Sequence, residues 1–156
     1  MNKHFGRGIK CSIFYQYRNL LQDHSLQDDR MYLEFDPKKV DYADLADNIL
    51  PAYVDIFESY RAVIYDEELL FADFEKSRNV NLRETILRFY PICFYDEELC
   101  LRSLHNPVSE IFDRLIQNNI KVSILGNGIF INYSSKFFTV QEADEFDSKI
   151  STILNH

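Results

Sequence analysis

The sequence predicts an α+β fold: one compact domain over residues 1–156, with about four helices packed on antiparallel strands and a C-terminal β-hairpin followed by a helix. Three features carry this expectation. Apolar residues recur at helical three-and-four spacing in several segments, they alternate as in strands in others, and only four Gly and four Pro interrupt 156 residues. A chain of this length can bury roughly two-thirds of its unfolded surface around one core. Hydrophobic residues at 46% and charged residues at 27% suit a globular protein and exclude collagen-like, low-complexity and disordered classes.

Residues 9–17 and 31–35 are rich in aromatic and β-branched side chains and read as two strands, with a polar loop over residues 22–30. Residues 41–60 carry the clearest helical pattern: Tyr42, Leu45, Ala46, Ile49, Tyr53, Ile56, Phe57 and Tyr60 share an arc of about 120°. Asp41, Asp44, Asp47, Asp55 and Glu58 fill a separate arc on the far side. Pro51 lies among these acids, so a kink or break is expected there, with the buried stripe carried across it.

Asn81 with Glu84 resembles a capping box, opening a short helix with Leu82, Ile86 and Phe89 on one face until Pro91 stops it. Asn106-Pro107 reads as a cap and a first-turn proline. Val108, Ile111, Phe112, Leu115 and Ile116 then form a stripe that ends near Asn118-Asn119. Residues 120–125 and 129–133 alternate around Gly126-Asn127-Gly128, the pattern of a β-hairpin. Thr139 and Glu142 form another capping box, and Val140, Ala143, Phe146, Ile150 and Ile153 face inward behind it.

Tyr65-Asp66-Glu67-Glu68-Leu69 recurs thirty residues later as Tyr95-Asp96-Glu97-Glu98-Leu99, and Ile56 and Tyr60 match Ile86 and Tyr90 in the same register. Each copy suits either a hairpin with a charged tip or a helix capped by Asp66 or Asp96. Two copies fall short of a solenoid, and they read as similar units within one domain.

No motif fixes a reaction. His4, His24, His105 and His156 have no metal-ligand spacing to one another or to a cysteine. Cys11, Cys93 and Cys100 match no zinc or redox spacing and read as reduced thiols rather than a Cys93–Cys100 disulfide. The acids beside Cys100 oppose a thiolate. Neither Gly6-Arg7-Gly8 nor Gly126-Asn127-Gly128 matches a phosphate-binding loop, and a serine nucleophile elbow is missing. The expectation is a protein that is not an enzyme, with no cofactor and no metal. No run of eighteen apolar residues and no secretory signal is evident, so a soluble, cytoplasmic protein is expected, without membrane partners.

Charge is the most informative property. The net charge of −8 has the wrong sign for gripping phosphate backbones, so nucleic acid is not an expected partner. Ten acids and one base, Arg61, fall between residues 40 and 75, so that segment holds the entire excess. Such a concentration favours solubility or attracts a basic partner. Ten Tyr and thirteen Phe make the chain 15% aromatic, so some rings are expected at the surface, beside acids, as anchors for that partner.

In its size, acidity, lack of catalytic signatures and aromatic-acidic surface the chain resembles the small acidic immunity proteins that bacteria encode beside toxins. The resemblance implies a cytoplasmic inhibitor covering the active site of a cognate toxin, often a nuclease with a basic cleft. Asp41, Asp44, Asp47, Asp55 and Glu58, together with Asp66, Glu67, Glu68, Asp96, Glu97 and Glu98, would then contact the partner. A regulatory or adaptor domain for another basic protein is the second reading, and an enzyme whose site is assembled from scattered residues is the third.

Overall fold

The computed structural model describes residues 9–14, 30–36, 38–134 and 136–155 and has an α+β fold. The chain forms two compact units, residues 1–42 and 43–156. In the first, β1 (Ile9–Phe14) pairs antiparallel with β2 (Arg30–Phe35), Ile9 opposite Phe35 and Phe14 opposite Arg30. Both strands fall on the aromatic and β-branched runs, and residues 15–17 of the first run lie outside the described residues. The expected loop lies outside the described residues except for Arg30, which belongs to β2.

The helix expected over residues 41–60 is broken as its proline demands. It comprises α1 (Tyr42–Asp44), a π-helical turn (Leu45–Ile49) and α2 (Leu50–Ile56). The Leu50 N–H reaches back five residues to the Leu45 carbonyl, just ahead of Pro51, which has no N–H to give. One extra residue in a turn delays everything after it by about 100°. Leu45, Ala46 and Val54 are therefore the buried residues and Ile56, expected inside, turns to solvent, while Phe57, also expected inside, falls past the helix end at the C-cap and is exposed. The helix also stops early. Ser59 N–H bonds the Val54 carbonyl at 3.0 Å and Glu58 N–H the Asp55 carbonyl at 3.3 Å, closing a Schellman motif with Glu58 at φ 45°.

The second unit holds a four-stranded antiparallel sheet in the order β3-β4-β6-β5. β3 (Arg61–Ile64) leads into α3 (Glu67–Ser77), and β4 (Ile92–Asp96) into α4 (Glu97–Leu104). Of the two readings of the repeated pentapeptide, the helix start holds: Asp66 accepts the Leu69 N–H at 2.9 Å and Asp96 the Leu99 N–H at 2.8 Å. The repeat is thus a strand, a capping aspartate and a helix. Val63 lies opposite Cys93, its equivalent thirty positions on, so the two copies are related by a local dyad between these residues.

The helix expected from Asn81 does not form. Asn81 Oδ1 instead accepts the Arg83 N–H in a local turn, and residues 85–90 run irregularly. Their amide groups find partners on distant helices: Ile86 N–H donates to Ser103 Oγ at 2.8 Å and Phe89 N–H to Asp147 Oδ1 at 2.7 Å. Long-range capture of these donors replaces the helical ladder.

α5 (Val108–Gln117) follows, capped at Pro107 rather than Asn106. β5 (Val122–Leu125) and β6 (Gly128–Asn132) form the expected hairpin. Gly126 takes the positive φ, 55°, whereas Gly128 serves close packing against Phe94 and Tyr95. α6 (Val140–Leu154) opens on the full Thr139–Glu142 capping box. One face of β4 and β6 presents Cys93, Tyr95, Ile129 and Ile131 to a core completed by Leu69, Leu99, Ile111, Leu115, Phe146 and Ile150 of α3 to α6. Phe94 and Phe130 alternate to the other face and are also buried.

Candidate interaction surface

The acids of the 44–58 segment remain on the surface: Asp44, Asp47, Asp55 and Glu58 are all exposed, and so is Asp41 in the first unit. Asp44 accepts a hydrogen bond from Asn48 Nδ2 at 2.7 Å. Asp47 accepts one from Asn132 Nδ2 at 2.5 Å and lies 4.0 Å from Lys121 Nζ, tying the π-helical turn to the end of β6. With Pro51, Asp47 and Lys121 also line a hollow of about 340 Å³ beside β5.

The end of α2 has a different character. Ile56 is 71% exposed and Phe57 43%, and they stand between the exposed carboxylates of Asp55 and Glu58. Tyr53 stacks on Phe57 with ring centroids 5.9 Å apart and planes 12° from parallel. An apolar centre with a charged rim is the anatomy of a protein-binding patch. The shift in helical phase before Pro51 exposes Ile56 and the early end of α2 exposes Phe57, which is why a regular helical wheel hides the patch.

The two acidic tripeptides do not join one patch. Because β3 and β4 are antiparallel, Asp66 and Asp96 lie at opposite ends of the strand pair, on the order of 20 Å apart. Asp66 and Asp96 cap their helices. Partial burial holds Asp96 above the ordinary carboxylate range, against the pull of the Leu99 N–H. Glu97 accepts the Val108 N–H at 2.9 Å and so caps α5 from the first turn of α4. Glu98 pairs with Arg102 at 3.1 Å on the surface. Glu67 and Glu68 are exposed in the first turn of α3.

Sequence reasoning missed a polar cluster between α3, the irregular segment and α6. Arg88, 3% exposed, donates through Nε and Nη2 to Asp73 Oδ1 at 3.1 and 2.9 Å, and through Nη2 to Asp144 at 2.7 Å. Tyr90 O–H donates to the other Asp73 oxygen at 2.9 Å, and Tyr95 O–H to the Arg88 carbonyl at 2.6 Å. Burial works against the Arg88 charge, but Asp144 and Asp73 outweigh it and hold its pKa above the ordinary value. Arg88 in turn holds Asp144 below the carboxylate range. The only hint in sequence is a lone cation in an apolar run. Arg88 Nη1 is buried without a hydrogen-bond partner, and the other charged and hydroxyl groups of the cluster engage one another and brace the fold.

Cys93 and Cys100 are free and buried among apolar side chains, and burial pushes both thiols up to about 12. His105 is an exposed left-handed cap at the end of α4. Among the described residues no three His, Cys, Asp or Glu side chains are grouped to hold a metal ion, and no helix is long and apolar enough to cross a membrane. Compared with protein-family models, curated proteins and solved structures, the chain matches none.

Proposed function

We propose that the protein is a binding inhibitor of the immunity-protein kind, acting in the cytoplasm of a bacterium on a basic toxin domain through the acidic, apolar-centred surface of the 44–58 segment. The observation that carries this reading is the exposure of Ile56 and Phe57 between Asp55 and Glu58. Apolar anchors supply binding energy when water is excluded from them, and the surrounding carboxylates steer and orient a cationic partner. A nuclease with a basic cleft is the simplest such partner, with Asp44, Asp55 and Glu58 standing where phosphates would lie. The reading assigns no catalytic residue, no cofactor and no metal. Of the acids expected at the interface, Asp66, Asp96 and Glu97 have structural duties, so the binding role is confined to the others. An adaptor domain for a different basic protein would use the same surface, and the partner's activity distinguishes the two.

The test is affinity capture of the tagged protein from its native host at low and high salt, repeated with Asp55→Lys/Glu58→Lys and with Ile56→Ser/Phe57→Ser. A stoichiometric basic partner whose toxicity the parent suppresses, and which both variants release, is the expected result. Undiminished capture by both folded variants would remove this surface from the proposal.

A further inference from the structure

We infer that the outward face of α3 is a second docking surface, one that receives an amphipathic, cationic helix of another protein. Leu70, Phe71 and Phe74 are large apolar side chains exposed on adjacent turns, and Phe71 is 79% exposed. Three such residues on one face of an eleven-residue helix exceed the scattered apolar exposure of an ordinary surface.

The internal repeat says what kind of element belongs there. Leu70 and Phe74 are the equivalents, thirty positions earlier, of Cys100 and Leu104 in α4. Cys100 is fully buried and Leu104 packs against the core, and α4 has α5 packed against it. Among the described residues α3 packs against α6, but no counterpart of α5 covers Leu70 and Phe74. α5 is itself amphipathic, with Val108, Ile111 and Leu115 buried. The face of α3 that carries Leu70 and Phe74 is therefore open where its equivalent on α4 is covered, and Phe71, like its equivalent Leu101, stands exposed beside it.

The charges define the partner further. Glu67, Glu68 and Glu75 stand three or four positions from Phe71 and so surround it on the helix surface. Arg78 already demonstrates the fitting chemistry: its guanidinium lies 5.1 Å from the Phe74 ring centroid and 3.1 Å from the Glu75 carboxylate. A Lys or Arg beside the apolar stripe of an incoming helix would make the same contact with Phe71 and Glu67 or Glu68. This surface requires neither the patch at the end of α2 nor an inhibitory role.

The probe is a fluorescent amphipathic peptide of about 18 residues with a leucine stripe and lysines on both flanks, set against a counterpart with glutamates, and titrated by anisotropy onto the full chain. Saturable one-to-one binding of the lysine peptide alone is expected, weakened at least about tenfold by Leu70→Ser/Phe71→Ser/Phe74→Ser and unchanged by Ile56→Ser/Phe57→Ser. Phe71→Ser alone, the most solvent-exposed of these changes, serves if the triple variant loses its fold by circular dichroism, with a loss of about fivefold expected. Equal binding by the folded triple variant or by the glutamate peptide overturns the inference. So does self-association in sedimentation velocity that the triple variant abolishes, because the face would then belong to a second copy.

Discussion

Arg88 sets Nε and Nη2 on the same oxygen of Asp73 while its Nη2 also reaches Asp144, so one buried guanidinium joins α3 to α6. Asp73 is 4% exposed, whereas the Asp144 side chain is about half in solvent, so Asp73 is the partner that matters. Asp73→Ala leaves Arg88 Nε and the Tyr90 hydroxyl without their acceptor and the buried cation with only the half-exposed Asp144. A loss of about 3–5 kcal/mol is expected by urea denaturation. Replacing both partners, Asp73→Leu with Arg88→Met, should recover most of it, because an apolar pair demands no compensation for desolvated charge.

Glu58 holds a left-handed backbone at the Schellman cap of α2, a conformation that glycine adopts without penalty. Glu58→Gly should raise stability by about 0.5–1 kcal/mol, read as a higher urea midpoint at unchanged slope. A lower midpoint would show that the carboxylate itself contributes more than the backbone strain costs.

The two glycines of the β5–β6 hairpin should respond differently. A Cβ on Gly128 would lie 2.5 Å from the Phe94 ring and from the Tyr95 carbonyl, deep in the sheet. Gly128→Ala is expected to cost about 3 kcal/mol or more, since buried backbone cannot move aside. A Cβ on Gly126 meets nothing within 4 Å, so Gly126→Ala carries only the strain of its φ of 55°, about 1 kcal/mol. Thermal unfolding of the two variants gives the order directly.

Cys93 and Cys100 titrate near 9.0 when unfolded and are pushed up to about 12 by burial in the native state. The folded chain therefore binds protons more tightly than the unfolded one. The stability this contributes is complete below pH 9 and is lost as pH rises from 9.0 toward about 12. Tyr95, also held up by burial, acts in the same direction. Urea stability measured between pH 8 and pH 11 should fall steadily, and less so in Cys100→Ala. In a Cys11→Ser background, a thiol reagent should label the native chain at the rate of global opening.

Much of the fold is readable in the sequence because its signals are local. The Thr139–Glu142 box, the α5 stripe and the turn at Gly126 each act within a few residues, and each element forms where those signals place it. Asn81 and Glu84 send an equally clear local signal, yet no helix follows. Ser103 and Asp147, far along the chain, take the amide hydrogens of Ile86 and Phe89. The candidate surface was half legible for a related reason. The exposure of Asp44, Asp47, Asp55 and Glu58 follows from helical spacing, but that of Ile56 depends on one π-helical turn that no wheel of regular pitch contains, and that of Phe57 on where the helix stops. The roles of Asp66 and Asp96 were narrowed to two possibilities by the acidic repeat, and strand pairing decided between them.

The brace around Arg88 also sets an order of events during synthesis. Asp144 emerges from the ribosome 56 residues after Arg88, and Asp147 follows Phe89 by 58. Until α6 has been made, the irregular segment lacks the carboxylates that hold it to that side of the core, and Ile111 and Leu115 lack the apolar cover of Phe146 and Ile150. A chain ending before residue 140 therefore keeps Arg88 on Asp73 alone, leaves the Phe89 N–H without its carboxylate and the α5 face uncovered, and stays open to proteases until α6 is added.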